Sequence, residues 1–217
     1  MRLLPPHFYA RDAREVAVDL LGCELHLGEV ALRITEVEAY CWPDDSANHC
    51  HRGRTPRNAP MWGPGGRAYV YLCYGLHQML NVVTNAEGEG AAVLIRACEP
   101  VRGLDVVRAR RAGRDGPALL TGPGKVGAAL GLDTSWSGHV LHEPGGLELR
   151  EGRAPEAIAV GPRVGVDYAE ARHREAPWRY AVAGSRWVSQ PKGLRPTSRP
   201  ELERGFVLGA RSAADLR

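Results

Sequence analysis

Lysine is nearly absent from this 217-residue chain: Lys125 and Lys192 are the only two among its 28 cationic residues. Chemistry that needs an amine nucleophile, such as Schiff-base formation, has only those two side chains and the N-terminus to use. Long apolar runs are missing too. The start, Met1-Arg2-Leu3-Leu4-Pro5-Pro6-His7, has none long enough for a signal peptide, and no later run is long enough to span a membrane. A cytoplasmic protein without a membrane partner is expected. Five cysteines (Cys23, Cys41, Cys50, Cys73, Cys98) are an odd number in no recognisable spacing. That favours reduced thiols over a disulfide framework. There is no internal repeat and no linker through the middle. One domain over residues 1–189 is expected, followed by a Pro/Arg/Ser-rich tail at 190–217 that is at least partly loose.

What is present is an ordinary globular composition, 44% hydrophobic and 24% charged. The net charge of +3 is unevenly spread: residues 1–49 carry 4 Arg against 9 Asp and Glu, and residues 50–116 carry 10 Arg against 5. Arginine suits phosphate recognition because its planar fork binds bidentately, although a GC-rich genome produces the same bias. The basic charge begins just after the strand bearing Glu38, as a phosphate-binding surface beside a catalytic cleft requires.

That strand is the centre of the reading. Val30, Leu32 and Ile34 alternate with Ala31, Arg33 and Thr35, the period of a half-buried strand. Continuing the period puts Glu36, Glu38 and Tyr40 on the apolar face. A carboxylate there is costly unless it is paired, protonated or opens into a cleft, which makes Glu38 a candidate functional residue. Around it, Asp12-Ala13-Arg14-Glu15 has capping-box spacing and opens a helix that Gly22 closes. Cys23–Leu27 and Val30–Tyr40 form a hairpin. Residues 41–67 are a long polar loop holding His49, Arg54 and Arg57, and loops of this length are usually functional.

Further strands are expected at Ala68–Cys73, Met79–Asn85 and Ala91–Ala97. They place Tyr69 and Tyr71 on one face, Asn81 at an otherwise apolar position, and Arg96 inside an apolar run. Helices are expected at Leu104–Ala112 and Val126–Leu132, and later strands near Leu147–Arg150, Ile158–Val166 and Arg179–Val188. The fold class is α+β, a single domain with a curved antiparallel sheet and peripheral helices.

Other chemistries fit less well. Cys41, His49, Cys50 and His51 match no structural zinc spacing, so no metal is expected. Gly122-Pro123-Gly124-Lys125 lacks P-loop spacing, though a helix N-terminus with glycines and a lysine can hold a phosphate. Glu36 and Glu38, about 7 Å apart at two-residue strand spacing, suit an inverting sugar hydrolase. Such an enzyme leaves the Arg-rich segment unexplained.

An ordered set of motifs resembles the alkyladenine (3-methyladenine) DNA glycosylase family. They are Glu36-Val37-Glu38-Ala39-Tyr40, Asp44-Asp45, Ala47-Asn48-His49 and Arg54-Thr55-Pro56-Arg57-Asn58. Then come Tyr69-Val70-Tyr71-Leu72-Cys73-Tyr74-Gly75, Met79-Leu80-Asn81-Val82, Val93-Leu94-Ile95-Arg96-Ala97-Cys98-Glu99-Pro100, Thr121-Gly122-Pro123-Gly124-Lys125, Arg163-Val164-Gly165-Val166 and Gly184-Ser185-Arg186-Trp187-Val188-Ser189. Cys41-Trp42 departs from the smaller pair usual after the Tyr, Leu76 sits where a Met can be found, and the tail lies outside the match.

The resemblance implies hydrolysis of the N-glycosidic bond of alkylated or deaminated purines flipped out of duplex DNA. By position, Glu38 would activate the water and Arg96 would lie beside it. Tyr40, His49 and Tyr71 would wall the base pocket, together with Ala39, and Asn81 would crowd the 2-amino group of guanine. Tyr74 would wedge into the vacated gap, and Tyr69, Arg54, Arg57 and Lys125 would meet the DNA backbone. No cofactor is implied, and the partner is double-stranded DNA bound by a monomer of a cytoplasmic, nucleoid-associated, bacterial type. The alternative outside catalysis is a damaged-DNA binding module, which would not need Glu38.

Overall fold

In a computed structural model, which describes residues 1–202 and 204, the described strands form a single open antiparallel sheet. They are β1 (Glu24–Leu27), β2 (Val30–Tyr40), β3 (Ala68–Cys73), β4 (His77–Val83), β5 (Ala92–Arg102), β6 (Glu148–Arg150), β7 (Ile158–Gly161), β8 (Arg179–Val182) and β9 (Arg195–Thr197). Their order is β3-β4-β5-β2-β8-β7-β9, with β1 pairing both β2 and β6. Helices α1 (Pro6–Tyr9), α2 (Ala13–Leu20), α3 (Leu104–Arg110), α4 (Pro123–Leu130) and α5 (Ala171–Arg174) complete the expected α+β architecture.

Period-2 alternation divides the sheet into two unlike faces. Val70, Leu80, Val82, Val93, Ile95, Val37 and Ala39 join one core with Val16 and Leu20 of α2, Val107 of α3 and Val126 and Leu130 of α4. The intervening residues Tyr69, Tyr71, Asn81, Leu94 and Arg96 face the other way, where loops rather than helices cover them. Helix α4 lies close on β4 because its glycines allow it. A Cβ on Gly127 would meet the Gln78 carbonyl oxygen at 2.2 Å, and one on Gly124 would meet the His77 side chain at 2.8 Å.

The strand face expected for Glu38 is corrected by a pair of bulges. In the β2–β5 ladder Ile34 pairs Cys98, but the next pair is Glu36 with Ala97 and the one after is Val37 with Ile95. Thr35 is thus an extra residue on β2 and Arg96 an extra residue on β5. Each strand loses one step of alternation at the same place. Ile34 and Val37 therefore share the core face, while Glu36, Glu38 and Tyr40 turn to the loop-covered face. Glu36 and Glu38 are nonetheless fully buried there.

Several boundaries differ from the sequence expectation. Helix α4 starts at Pro123, so the Gly-Lys of the glycine turn lies inside its first turn, and Gly131 ends it in the left-handed conformation. Asp12 caps α2 by accepting from Arg14 N, and the helix ends at Leu20, two residues before Gly22. Strand β4 spans His77–Val83 rather than Met79–Asn85, and β5 runs on to Arg102. Strand β7 stops at Gly161 because Pro162 cannot continue a ladder, and β8 ends ahead of the turn at Gly184 (φ +72°). The tail expected to be at least partly loose contributes the short β9, paired with β7; residues 203 and 205–217 lie outside the described residues.

Candidate active site

One row of paired positions crosses the loop-covered face: Tyr69 of β3, Asn81 of β4, Leu94 of β5 and Glu38 of β2 stand opposite one another in turn. Above this row is a pocket of about 230 Å³. Its walls include Tyr40, His49, Tyr69, Tyr71, Asn81 and Arg96, with Tyr74 at the mouth.

Glu38 lies under the pocket with both oxygens held. Oε2 accepts from the Tyr40 hydroxyl at 2.9 Å, and Oε1 accepts from Val164 N at 2.7 Å and faces Arg96 Nη1 at 3.3 Å. Burial and the Glu38 charge push the Tyr40 pKa well above the usual phenol range, so the hydroxyl keeps its proton and remains a donor. Burial opposes the Arg96 charge, but Glu38 and Glu36 outweigh it and hold the guanidinium pKa above its ordinary value. Two hydrogen-bond donors and the facing guanidinium therefore hold the carboxylate in one orientation, the arrangement a general base needs.

Glu36 is engaged elsewhere. Its Oε1 accepts from Arg179 Nη1 at 2.9 Å and lies 3.6 Å from Arg96 Nε, and its Oε2 accepts from Ser189 N at 2.6 Å. Arg179 in turn donates to the carbonyls of Pro162, Gln190 and Lys192. This removes the second carboxylate that an inverting sugar hydrolase would require. Glu36 is a structural tie between β2, β8 and the chain beyond Ser189.

The aromatic wall is built from β3 and the long loop. His49 packs edge-on to Tyr71 at 4.6 Å, and Tyr69 lies 5.5 Å from Tyr71 at an interplanar angle of 31°. His49 Nδ1 pairs with the Tyr69 hydroxyl at 3.1 Å. Burial, then the nearby Arg57 charge, lowers the His49 pKa, so the ring stays neutral until pH falls below the ordinary imidazole range. The loop is bolted by two asparagines. Asn48 donates to the carbonyls of Cys41 and Gly90, and Asn58 donates to those of His49 and Gly53. Asn81 is pinned likewise, its amide donating to Tyr69 O and Met79 O, so a rigid polar group faces the pocket.

The segment after β7 is held by a buried ion pair. Arg163 binds Asp45 through both terminal nitrogens at 2.5 and 2.8 Å, donates to Ala39 O, and stacks over the Tyr40 and Trp178 rings. The next residue, Val164, presents its N–H to Glu38.

A family model described as Methylpurine-DNA glycosylase (MPG) matches residues 7–186. The chain belongs to the methylpurine-DNA glycosylase family. An Arabidopsis thaliana protein named DNA-3-methyladenine glycosylase is 57% identical over 199 residues, covering 90% of this chain and 78% of its own. A Nitrosococcus oceani protein is 63% identical over 194 residues, covering 89% of this chain and 96% of its own; it bears the name 3-methyladenine DNA glycosylase provisionally. A Methanoculleus marisnigri protein, under the same provisional name, is 48% identical over 195 residues, covering 86% and 98%.

In this glycosylase the expected site residues mostly converge, with exceptions. Tyr40, His49, Tyr71, Asn81 and Arg96 line one pocket, Glu38 lies directly beneath it, and Tyr74 stands 90% exposed at its mouth. Ala39 does not join them: the bulges turn it onto the core face, where it is fully buried. Tyr69 is 1% exposed with its hydroxyl on His49, so it supports the pocket and does not reach the surface as a backbone contact would. Arg54 and Arg57 are exposed, and Arg57 donates to Leu72 O while lying over the Tyr71 ring. Lys125 is half-buried, with Nζ 3.5 Å from Thr121 Oγ1.

Cys41 and Trp42 do not line the pocket, and Trp42 packs on Trp62 at 4.7 Å. Among the described residues, no three His, Cys, Asp or Glu side chains gather as a cation site, and no helix is long and apolar enough to cross a membrane. Sequence reasoning assigned no role to Val164, Gly165, Tyr168, Asp45 or Arg163. Asp45 and Arg163 to Gly165 entered only as motifs of the family resemblance, and the local signal was Gly161-Pro162, which stops the strand and sends the chain over the pocket.

Proposed function

We propose that this glycosylase flips alkylated or deaminated purines out of duplex DNA and hydrolyses the N-glycosidic bond with a water activated by Glu38. The observation that carries the reading is the buried Glu38 carboxylate, held by Tyr40, Val164 N and Arg96 beneath an aromatic pocket. A water beside Glu38 and Arg96 would lose its proton to the carboxylate as it attacks the anomeric carbon. The same negative charge favours the cationic character of the sugar transition state. Tyr40, Tyr71 and neutral His49 offer ring faces to an electron-poor purine, and the pinned Asn81 amide crowds the 2-amino group of guanine. Tyr74 fills the gap left in the duplex. Exposed Arg54 and Arg57 and half-buried Lys125 neutralise phosphates. The enzyme acts as a cytoplasmic monomer, without a cofactor, and leaves an intact abasic strand.

The test is base release from duplexes containing hypoxanthine, ethenoadenine or 3-methyladenine, by wild type and by Glu38→Gln. Wild type should release at least one of the three. Glu38→Gln should be slower by about 10²- to 10⁴-fold, the usual contribution of a general base, with lesion affinity within a few-fold. A wild type inert on the whole panel overturns the substrate reading, and an active Glu38→Gln removes Glu38 from the mechanism.

A further inference from the structure

Two exposed apolar side chains stand at the pocket mouth. Among the described residues, Leu72, Tyr74 and Leu76 of the β3–β4 hairpin are exposed, as is Tyr168 of the segment between β7 and α5. Tyr74 and Tyr168 both line the pocket, and they reach it from distant parts of the sheet, since β3 forms one edge and β7 lies next to the other. Tyr168 has an unusual posture. An exposed tyrosine ordinarily keeps its polar tip in water and tucks its ring against the protein. Tyr168 is 69% exposed, yet its hydroxyl donates to Ala47 O at 2.8 Å. The tip is tied inward and the ring is left out.

We propose that Tyr168 is a binding residue for the extruded nucleotide, its ring stacking on that nucleotide at the pocket mouth. The inference rests on the glycosylase reading above and adds a contact to it. A tyrosine has one O–H donor, and here Ala47 O takes it, so the group offers a ring face and not a hydrogen bond to phosphate. Anchoring the tip also fixes the ring before the nucleotide arrives, which reduces the ordering needed on binding. Tyr74 and Tyr168 thus divide the work at the mouth: one fills the vacated space, the other holds what left it.

The test compares wild type, Tyr168→Ala and Tyr168→Phe for affinity toward an ethenoadenine duplex and toward the same duplex carrying a tetrahydrofuran abasic analogue. Tyr168→Ala should bind the ethenoadenine duplex about 5- to 150-fold more weakly, the span of one base–aromatic stack. It should bind the abasic duplex within about twofold of wild type, because no base remains there to stack. Tyr168→Phe, which keeps the ring, should retain most of the lesion affinity. A Phe variant as weak as Ala would make Tyr168 a mere tie for the Ala47 segment. Equal losses on both duplexes would make it a backbone contact, and an unaffected Ala variant would remove it from binding; each overturns the proposal. Base release by wild type on the lesion panel scores the glycosylase reading separately, so a failure of Tyr168 alone is distinguishable from a failure of that reading.

Discussion

Tyr74 is the residue where local strain and exposure coincide. It has φ +51° beside Gly75 at +69°, and Leu76 N bonds Cys73 O, the backbone pattern of a tight hairpin turn that favours Asn or Gly. A bulky side chain in this conformation is held there at a cost on the order of 1–3 kcal/mol. Tyr74→Gly should therefore leave stability unchanged or raise it by about 1 kcal/mol, read by denaturant unfolding. The extruded fraction of an ethenoadenine duplex, read by base fluorescence, should fall. A stability loss without a change in extrusion would make Tyr74 a packing residue. Lys125 bears on the fate of the DNA strand. Burial, then Arg111 and Arg114, lower its pKa, and α4 brings Pro123 to the pocket wall, nearer to Glu38 than the sequence separation suggests. Its amine nevertheless points back to Thr121. Incubation with lesion DNA and borohydride should trap no adduct, and strand breaks should follow only alkali or heat. A trapped Lys125 adduct would establish lyase chemistry.

At the scale of elements, the segment holding Val164 against Glu38 depends on the Asp45–Arg163 pair, whose side chains are both fully buried. Asp45→Asn leaves Arg163 uncompensated and should lower unfolding free energy by about 3–5 kcal/mol. Because Val164 N would lose its placement, base release should fall in the fraction that stays folded, measured in single turnover below the melting midpoint. A stable variant with unchanged release would show that this segment does not position Glu38. The long strands, α2 and α3 were legible in the sequence because their periodicity follows from one buried face. The tyrosines of β3 were legible for the same reason, and Asn81 and Arg96 because each is a polar residue in an apolar run. The roles of Asp45, Arg163, Val164 and Tyr168 were not legible. They are set by loops meeting across more than 100 residues of chain, and a backbone N–H has no residue signature. Helix α4 was placed three residues late because Pro-Gly reads as a turn, although Pro is at home at the first position of a helix.

For the molecule as a whole, the charge asymmetry has a thermodynamic signature. If Arg54, Arg57 and Lys125 each meet a phosphate, each single alanine variant should reduce the slope of log affinity against log salt by about 0.9. Affinity for lesion and undamaged duplexes should fall by similar factors. A lost preference for the lesion, with the slope unchanged, would place that residue in base selection instead. The two bulges opposite each other in β2 and β5 act at the same scale, because they make the site a matter of counting. Thr35 and Arg96 are matched insertions, one per strand, and each cancels the phase error of the other. Were β2 to run straight through Thr35 with its residues unchanged, strict alternation from Ile34 would put Glu36 and Glu38 on the helix-covered core face. The facing of the Glu38 carboxylate thus depends on a kink in the backbone and not on any side chain along the strand, and straightening that one residue would turn the site inside out.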